Sequence, residues 1–163
     1  MFQKSLQKTL FTLSIFLGCG VSAQEVKVGG HLGAIGIGSS SGIGFGGSLQ
    51  IAPYETVGLR VAATLANIDS SNYFSINPML VWFVPTSEEF KAGLLFGGGF
   101  HKIGNLDMKF GIGGGAQADF NLSPNLSVGG IFELHNVFDS SRNVWSMMLT
   151  VGTKFGEAGG WDW

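Results

Sequence analysis

The amino-acid sequence predicts an all-β fold, an antiparallel up-and-down barrel of eight strands. Apolar residues recur at every second position in eight separate segments of the 163-residue chain, as they do on one face of a strand. Turn-forming residues separate these segments. Charged residues make up only 12% of the sequence and glycine contributes 27 residues, so the charged share is about half that of ordinary soluble domains. The length supports a single domain.

The first 23 residues have the composition of a secretory signal peptide. Lys4 and Lys8 precede an apolar stretch at 10–17, and the small residues at 21–23 predict cleavage before Gln24. The apolar stretch is too short for a membrane-spanning helix, which needs about 20 residues, and an uncleaved N-terminal anchor is the alternative. Because the only cysteine of the chain lies in this segment, the mature protein would form no disulfide.

The strands in the rest of the chain are predicted from the alternation of apolar and polar residues. The clearest is 108–122, in which even positions are apolar or small and odd positions are glycine or polar. The first segment changes phase at Ala34 and Ile35, which predicts a bulge or a frayed end. Pro78 falls inside the fourth segment, and we expect a bulge there because a closed barrel has no edge strand to accommodate proline. In chain order the predicted strands are 26–38, 43–52, 57–66, 73–84, 90–101, 108–122, 126–138 and 145–155.

The polar face of the strands indicates which side points outward. A soluble barrel of the lipocalin type places a charged face in water, whereas a membrane barrel turns its apolar face to lipid. Here the polar face is mostly Gly, Ser, Ala and Thr, which suits the crowded lumen of eight strands. The sequence therefore predicts an eight-stranded antiparallel up-and-down transmembrane β-barrel, with a soluble barrel or a sandwich as alternatives. Aromatic residues of the apolar face near strand ends are Phe74, Trp82, Phe90, Phe100, Phe120, Phe138, Trp145 and Phe155.

The segment 120–130, with the sequence FNLSPNLSVGG, resembles the strand, tight turn and strand of small bacterial outer-membrane barrels of the OmpA/OmpX type. The resemblance covers residues 25–155 and lies in pattern and layout. It implies a Gram-negative outer-membrane protein with 1–23 as signal peptide, 24–155 as barrel and 156–163 as a short periplasmic tail. The stretch 147–155 looks like the signal that the barrel-assembly machinery reads, although eight residues follow it.

The same resemblance implies a topology. With both ends periplasmic, the turns at Pro53, Pro85 and Pro124 are periplasmic, and the loops 39–42, 69–72, 104–107 and 139–143 face outward. All four outer loops are short, where the family often has long ones. The implied partners are outer-membrane lipid and, during insertion, the barrel-assembly machinery, while the sequence identifies no surface partner.

Charged and amide residues of the inward face are candidates for a polar network in the lumen, because buried charges need partners. We expect Arg60 to pair with Glu133 or with Asp119. Glu133 and His135 are two residues apart and share a face, and Ser127 or Ser146 would lie near them if a Ser/His/Glu set were present. The candidate network residues are Arg60, Lys109, Gln117, Asp119, Glu133 and His135.

Catalysis and cofactor binding are not predicted. No nucleophile motif surrounds either serine, and the inward-facing set has no access to lipid. The three histidines lack a metal-ligand spacing, and the glycine run at 111–115 lies within a strand instead of opening a helix. We therefore expect no enzyme, no metal and no cofactor.

The expected function is structural or interactive: membrane integrity, surface contact, or both. Without Lys4 and Lys8 the chain keeps seven basic residues against 11 acidic ones, and the absence of a basic patch argues against nucleic acid. The alternatives are a lipid-modifying outer-membrane enzyme, a narrow pore, and a soluble lipocalin-like carrier of a hydrophobic ligand.

Overall fold

Eight antiparallel strands form one closed barrel in the computed structural model, which describes residues 25–84, 86–87, 89–138 and 142–155. Each strand pairs with its neighbours in sequence, and β1 closes the barrel by pairing with β8. The closed up-and-down barrel predicted from the alternation is confirmed. The predicted signal peptide at 1–23 and tail at 156–163 lie outside the described residues. The strands are β1 (Glu25–Ile37), β2 (Ser40–Ala52), β3 (Val57–Ile68), β4 (Ser71–Val84), β5 (Phe90–Ile103), β6 (Lys109–Ser123), β7 (Leu126–Val137) and β8 (Arg142–Phe155).

The two ends of the barrel carry different strand connections, and the first and last strands begin and finish at one of them. We call the end with the β1–β2, β3–β4, β5–β6 and β7–β8 connections the loop end, and the opposite end, where β1 begins and β8 finishes, the terminal end. The β3–β4 connection at the loop end is the two-residue turn of Asp69 and Ser70, with φ of 45° and 66°. Positive φ at both central residues is what a tight hairpin turn requires, and it keeps this connection short.

Side chains alternate between lumen and outer wall along every strand. In β3 the exposed and buried positions alternate without interruption from Val57 to Ile68, as the pleat of a strand dictates. The apolar residues occupy the outer wall: Leu32, Phe45, Leu80 and their counterparts on other strands are exposed. The direction of the faces predicted from the small polar residues is therefore correct.

The bulge or frayed end expected at Ala34 and Ile35 is wrong. The pairing of β1 with β2 and with β8 continues in one register through Ile37. The sequence changes phase while the backbone does not, because Ile35 and Ile37 point into the lumen. There they pack in a buried apolar group that we call the loop-end cluster, which comprises Ile35, Ile37, Ala66, Ile68, Tyr73, Val137, Val144 and Met148.

The bulge expected at Pro78 is also wrong. Pro78 pairs in register with Val61 of β3, and the β4–β5 register is the same on both sides of it, at Ile76 and at Met79. The pairing with β5 omits Pro78, whose nitrogen has no hydrogen to donate, but no extra residue is inserted. The observed irregularity lies between Asn121 and Ser123, at the terminal end of β6.

A second buried apolar group fills one side of the lumen toward the terminal end. It comprises Ala52, Met79, Val81, Phe83, Leu95 and Ile131. The polar side chains of the lumen lie between and beside these two groups. None of the described residues forms a helix long and apolar enough to cross a membrane.

Candidate functional site: the barrel lumen and the outer wall

The centre of the lumen is an ion pair between β3 and β7, which lie on opposite sides of the barrel. Arg60 Nη1 lies 2.5 Å from Glu133 Oε1, and the two residues are only 3% and 4% exposed. Asn77 Nδ2 of β4 donates to Glu133 Oε2 at 3.2 Å, and His135 Nε2 lies 3.5 Å from the same oxygen. Three strands thus supply cations or donors to one buried carboxylate, as a charge removed from water requires.

Asp119, the other partner considered for Arg60, belongs to a separate group nearer the terminal end. Its Oδ1 accepts from Lys27 Nζ at 2.6 Å and from Thr150 Oγ1 at 3.4 Å. At the terminal mouth Glu25 pairs with Lys91 at 2.6 Å and lies 3.9 Å from Lys154. The acidic residues of this region therefore pair with lysines from other strands, and Arg60 is not among their partners.

The two remaining network candidates are placed differently. Gln117 is buried, and its Nε2 donates to Gln50 Oε1 at 3.1 Å across the lumen. Lys109 is half-buried at the loop end, where it is the cross-strand partner of His101. Within the described ranges its side chain makes no hydrogen bond or ion pair. Of the six predicted network residues, the structure brings Arg60, Glu133 and His135 together and leaves Lys109 apart.

The histidines form a further buried group between the ion pair and the loop-end cluster. Tyr73 Oη and His101 Nδ1 are 2.8 Å apart, and the rings of His101 and His135 meet edge to face with centroids 4.9 Å apart. His31 Nε2 lies 2.9 Å from Thr64 Oγ1. No group of three or more His, Cys, Asp or Glu in the described part of the chain is arranged to hold a metal ion.

The serines do not assemble a nucleophilic triad with these groups. Ser146 is the cross-strand neighbour of Glu133 but makes no side-chain hydrogen bond among the described residues. Ser127 lies at the terminal end of β7, where its hydroxyl donates to the carbonyl of Gly152 at 3.5 Å. Ser127 and His135 are thus at opposite ends of one strand, and no base is placed to activate either hydroxyl.

Inward-facing glycines make room for the polar side chains. A Cβ atom at Gly46 would lie 2.6 Å from His31 Nε2, and one at Gly113 would lie 2.6 Å from His135 Nδ1. Gly152 is covered in the same way by the Lys27 side chain. Long side chains in the lumen lie over glycine backbone, and a small cavity is bordered by His31, Arg60, Glu133 and His135.

The outer wall carries two belts of aromatic residues. Phe90 and Phe120 pack with ring centroids 4.8 Å apart at the terminal end, and Phe100 and Phe110 pack at 5.4 Å near the loop end. Within β5, and likewise within β6, these two phenylalanines are ten residues apart. At roughly 3.3 Å per residue and a tilt of 35–45°, the belts are roughly 25 Å apart, the height of the apolar band of outer-membrane barrels. The terminal belt comprises Trp82, Phe90, Phe120 and Phe155, and the loop belt comprises Phe74, Phe100, Phe110, Phe138 and Trp145.

Polar residues on the outer wall are concentrated at the loop end. Among outward-facing positions of the described strands, Lys102 is the only charged residue. The other polar residues at this end are Ser41, Asn67, Asn72, Asn136 and Asn143, all exposed. At the terminal end the outward-facing positions of the described strands include two polar residues, Thr153 and, beyond the irregularity in β6, Ser123.

Comparisons with known proteins identify similar structures but no similar sequence. No protein-family model matches the chain, and no curated protein matches it. The N-terminal β-barrel domain of Pseudomonas aeruginosa OprF superposes with a TM-score of 0.68 and 13% identity, over 82% of this chain and 98% of that one.

Two further outer-membrane structures are similar. Neisserial surface protein A gives a TM-score of 0.62 at 15% identity, over 80% of this chain and 96% of that one. A major outer membrane protein from Thermus thermophilus gives 0.62 at 15% identity, over 80% and 99%. The strand number and the closure agree with these comparisons, and the chain thus has the fold of the small eight-stranded outer-membrane β-barrels.

Proposed function

We propose that this protein is an integral outer-membrane β-barrel of a Gram-negative cell, with a structural and surface-contact role. In this proposal residues 1–23 are a cleaved export signal and the barrel-assembly machinery inserts the chain. The strands cross the bilayer with the loop end outward. The barrel contacts outer-membrane lipid, and its lumen is filled by the network around Arg60 and Glu133.

The observation that carries the proposal is the apolar outer wall between two aromatic belts. Leu149, in the middle of β8, is 75% exposed, and Ile43 on β2 is 73% exposed. Exposed apolar patches larger than a few hundred Å² are rare on monomeric soluble proteins. A bilayer removes this surface from water, and the closed barrel leaves no unpaired sheet edge in lipid.

The packing of the lumen supports a structural role over conduction. Arg60 and Glu133 join opposite walls, and the loop-end cluster fills the barrel beside the connections. An eight-stranded barrel has a lumen that side chains just fill, so a narrow pore has little free cross-section. A carrier of hydrophobic ligands needs a roomy apolar cavity, whereas the cavity here is small, and the charged Arg60 and Glu133 line it beside apolar side chains.

Within the described ranges, no set of residues is arranged for catalysis. Ser127 and His135 are far apart on β7, and Glu133 is already occupied by Arg60 and Asn77. The short loop-end connections offer a small area for contact with other molecules. The surface-contact role therefore involves the barrel rim and membrane lipid more than a large projecting receptor.

The test is fractionation of the expressed full-length protein, followed by gel mobility with and without heating. We expect recovery in the outer membrane, a mature N-terminus at Gln24, and faster migration of the unheated sample because a closed barrel stays folded in the gel. Recovery in the soluble periplasm without a mobility change would overturn the membrane assignment. An N-terminus at Met1 would overturn the cleaved signal alone.

A further inference from the structure

All three histidines of the chain lie in the lumen of the barrel. His31, His101 and His135, which we call the histidine group, are 6%, 1% and 3% exposed and come from β1, β5 and β7. Histidine is the side chain whose charge ordinarily changes between pH 5 and 8. Because none of the three is at the surface, any histidine titration in this protein takes place inside the barrel.

The ring nitrogens of the histidine group have few acceptors for an added proton. Among the described residues, four of them are buried without a hydrogen-bond partner: Nδ1 of His31, Nε2 of His101 and both nitrogens of His135. His135 Nε2 lies 3.5 Å from Glu133 Oε2, but that carboxylate already accepts hydrogen bonds from β3 and β4. An imidazolium donates from both nitrogens, so protonation creates buried donors without acceptors, which is costly.

The charges that face the histidine group from the neighbouring strands do not favour a further cation. Arg60 of β3 and Glu133 of β7 balance each other, and Lys109 of β6 is the cross-strand partner of His101. The titratable group on β4 is the neutral hydroxyl of Tyr73, and the described inward positions of β2 and β8 at this height hold no titratable residue. Because the carboxylate of this region already has its counterion, a charge on a histidine has none.

The histidine group is joined to the loop-end cluster on one side only. Tyr73 is a member of that cluster, and its Oη lies 2.8 Å from His101 Nδ1. The rings of His101 and His135 meet edge to face with centroids 4.9 Å apart, so like charges on the two rings would push them apart. The ion pair of Lys27 with Asp119, toward the terminal end, contains no histidine. Protonation therefore acts on the loop-end half of the lumen.

We propose that the histidine group is an acid-sensitive switch in the lumen. At neutral pH the uncharged rings pack together and hold Tyr73 in the loop-end cluster. As the pH falls below about 6.5, protonation separates His101 from His135 and loosens the loop-end cluster, while the terminal half of the lumen keeps its packing. The switch goes beyond the structural role proposed above, because it makes the order of the loop end depend on the pH of the surroundings.

The test is amide hydrogen exchange of the full mature chain in phosphatidylcholine vesicles at about pH 7.5 and about pH 5.5, corrected for the intrinsic effect of pH on exchange. The compared amides are those of 35–37 and 66–68 at the loop end and those of 25–28 and 151–155 at the terminal end. An opening that protonates one histidine becomes about tenfold more favourable over this range. We therefore expect protection at the loop end to fall about tenfold or more, and protection at the terminal end to stay the same. Equal protection at both pH values, or an equal fall at both ends, would overturn the switch.

The double variant His101→Gln with His135→Gln removes both titratable rings that meet near Tyr73, and its loop end should no longer respond to pH. His31→Gln is the matched control, because this equally buried histidine contacts Thr64 and not Tyr73, and the loop-end response should persist. A double variant that responds like the unaltered chain contradicts the proposal. If the double variant does not fold, the comparison of the two ends in the unaltered chain still decides.

The outcome for the switch is separate from the outcome for the proposed function. A chain that stays folded in buffer without lipid contradicts the membrane location. The same exchange comparison on that folded barrel still tests the switch, because the histidine group lies inside the barrel in either case.

Discussion

Arg60 of β3 and Glu133 of β7 join opposite walls of the barrel through a 2.5 Å contact between Nη1 and Oε1. The two residues are 73 positions apart in sequence. Both are almost fully buried, and Asn77 completes the hydrogen bonding of the carboxylate. The pair therefore acts as a strut across the lumen, and its two charges depend on each other for compensation.

Breaking this strut should cost more than breaking an ion pair at the barrel mouth. Glu133→Gln leaves the Arg60 charge buried without its counterion, and we expect a loss of about 3–5 kcal/mol in the free energy of unfolding. Lys91→Met removes a half-exposed partner of Glu25 and should cost less than about 1 kcal/mol. Urea unfolding in lipid vesicles, followed by tryptophan fluorescence, measures both.

The double variant Arg60→Met with Glu133→Leu separates pairing from packing. Because both charges disappear together, its loss should be smaller than that of Glu133→Gln alone. If Glu133→Gln and Lys91→Met were equally mild, the ion pair would not be a strut and the lumen would be hydrated enough to screen it.

The second prediction concerns the outward-facing residues of β8. Leu149 lies in the middle of the outer wall, whereas Thr153 lies near the terminal belt on the same face of the same strand. Leu149→Arg should lower the stability of the inserted barrel by about 2–4 kcal/mol, and Thr153→Arg by about 1 kcal/mol or less, because the cost of a cation falls with distance from the bilayer midplane. The measurement is urea-dependent refolding into vesicles. Equal effects at the two positions would place the outer wall in water.

The strands and their faces were predictable from sequence because a period of two is a local property. The odd positions of 108–122 are small or polar, and the structure turns them all inward. Ile35 and Ile37 are the exception. The alternation assigns apolar residues to the lipid-facing wall, and the sequence does not reveal that an apolar cluster lies inside the lumen. The bulge expected at Pro78 is absent because the loss of one hydrogen-bond donor in the ladder does not require an inserted residue.

Pairing across the lumen was less predictable than pairing along the wall. Glu133 and His135 share a face by spacing alone, but the partner of Asp119 depends on the stagger of all eight strands. That stagger brings Lys27 to Asp119 across 92 positions of sequence and leaves Lys109 beside His101, away from the central carboxylate. The alternation indicates which side chains enter the lumen, but it does not give their position along the barrel axis.

The glycines of β2 give a third prediction, from two adjacent residues. Gly46 faces the lumen, where a Cβ would lie 2.6 Å from His31 Nε2 and closer still to the Ala63 carbonyl oxygen, whereas at outward-facing Gly47 the nearest atom would be the Gly29 carbonyl oxygen at 3.6 Å. Gly46→Ala should destabilise the barrel by about 1–3 kcal/mol through overpacking. Gly47→Ala should be neutral or slightly stabilising, because alanine restricts the unfolded chain. Urea midpoints of the two variants in one vesicle preparation decide between this interpretation and a wall that relaxes around the new methyl group, in which case both variants would behave alike.

The last prediction concerns the hydrogen bond between Tyr73 and His101, which links the loop-end cluster to the histidine group. Tyr73→Phe keeps the ring in the apolar cluster and removes only the hydroxyl, 2.8 Å from His101 Nδ1. Because His101 is buried and its Nε2 has no hydrogen-bond partner among the described residues, a second unpartnered nitrogen should cost about 1–3 kcal/mol. Tyr54→Phe is the matched control, since that tyrosine is 67% exposed in the β2–β3 connection and its hydroxyl is free to bond water. Unfolding midpoints that shift for Tyr73→Phe alone would establish the link, and unchanged midpoints for both variants would mean that His101 finds another partner in the lumen.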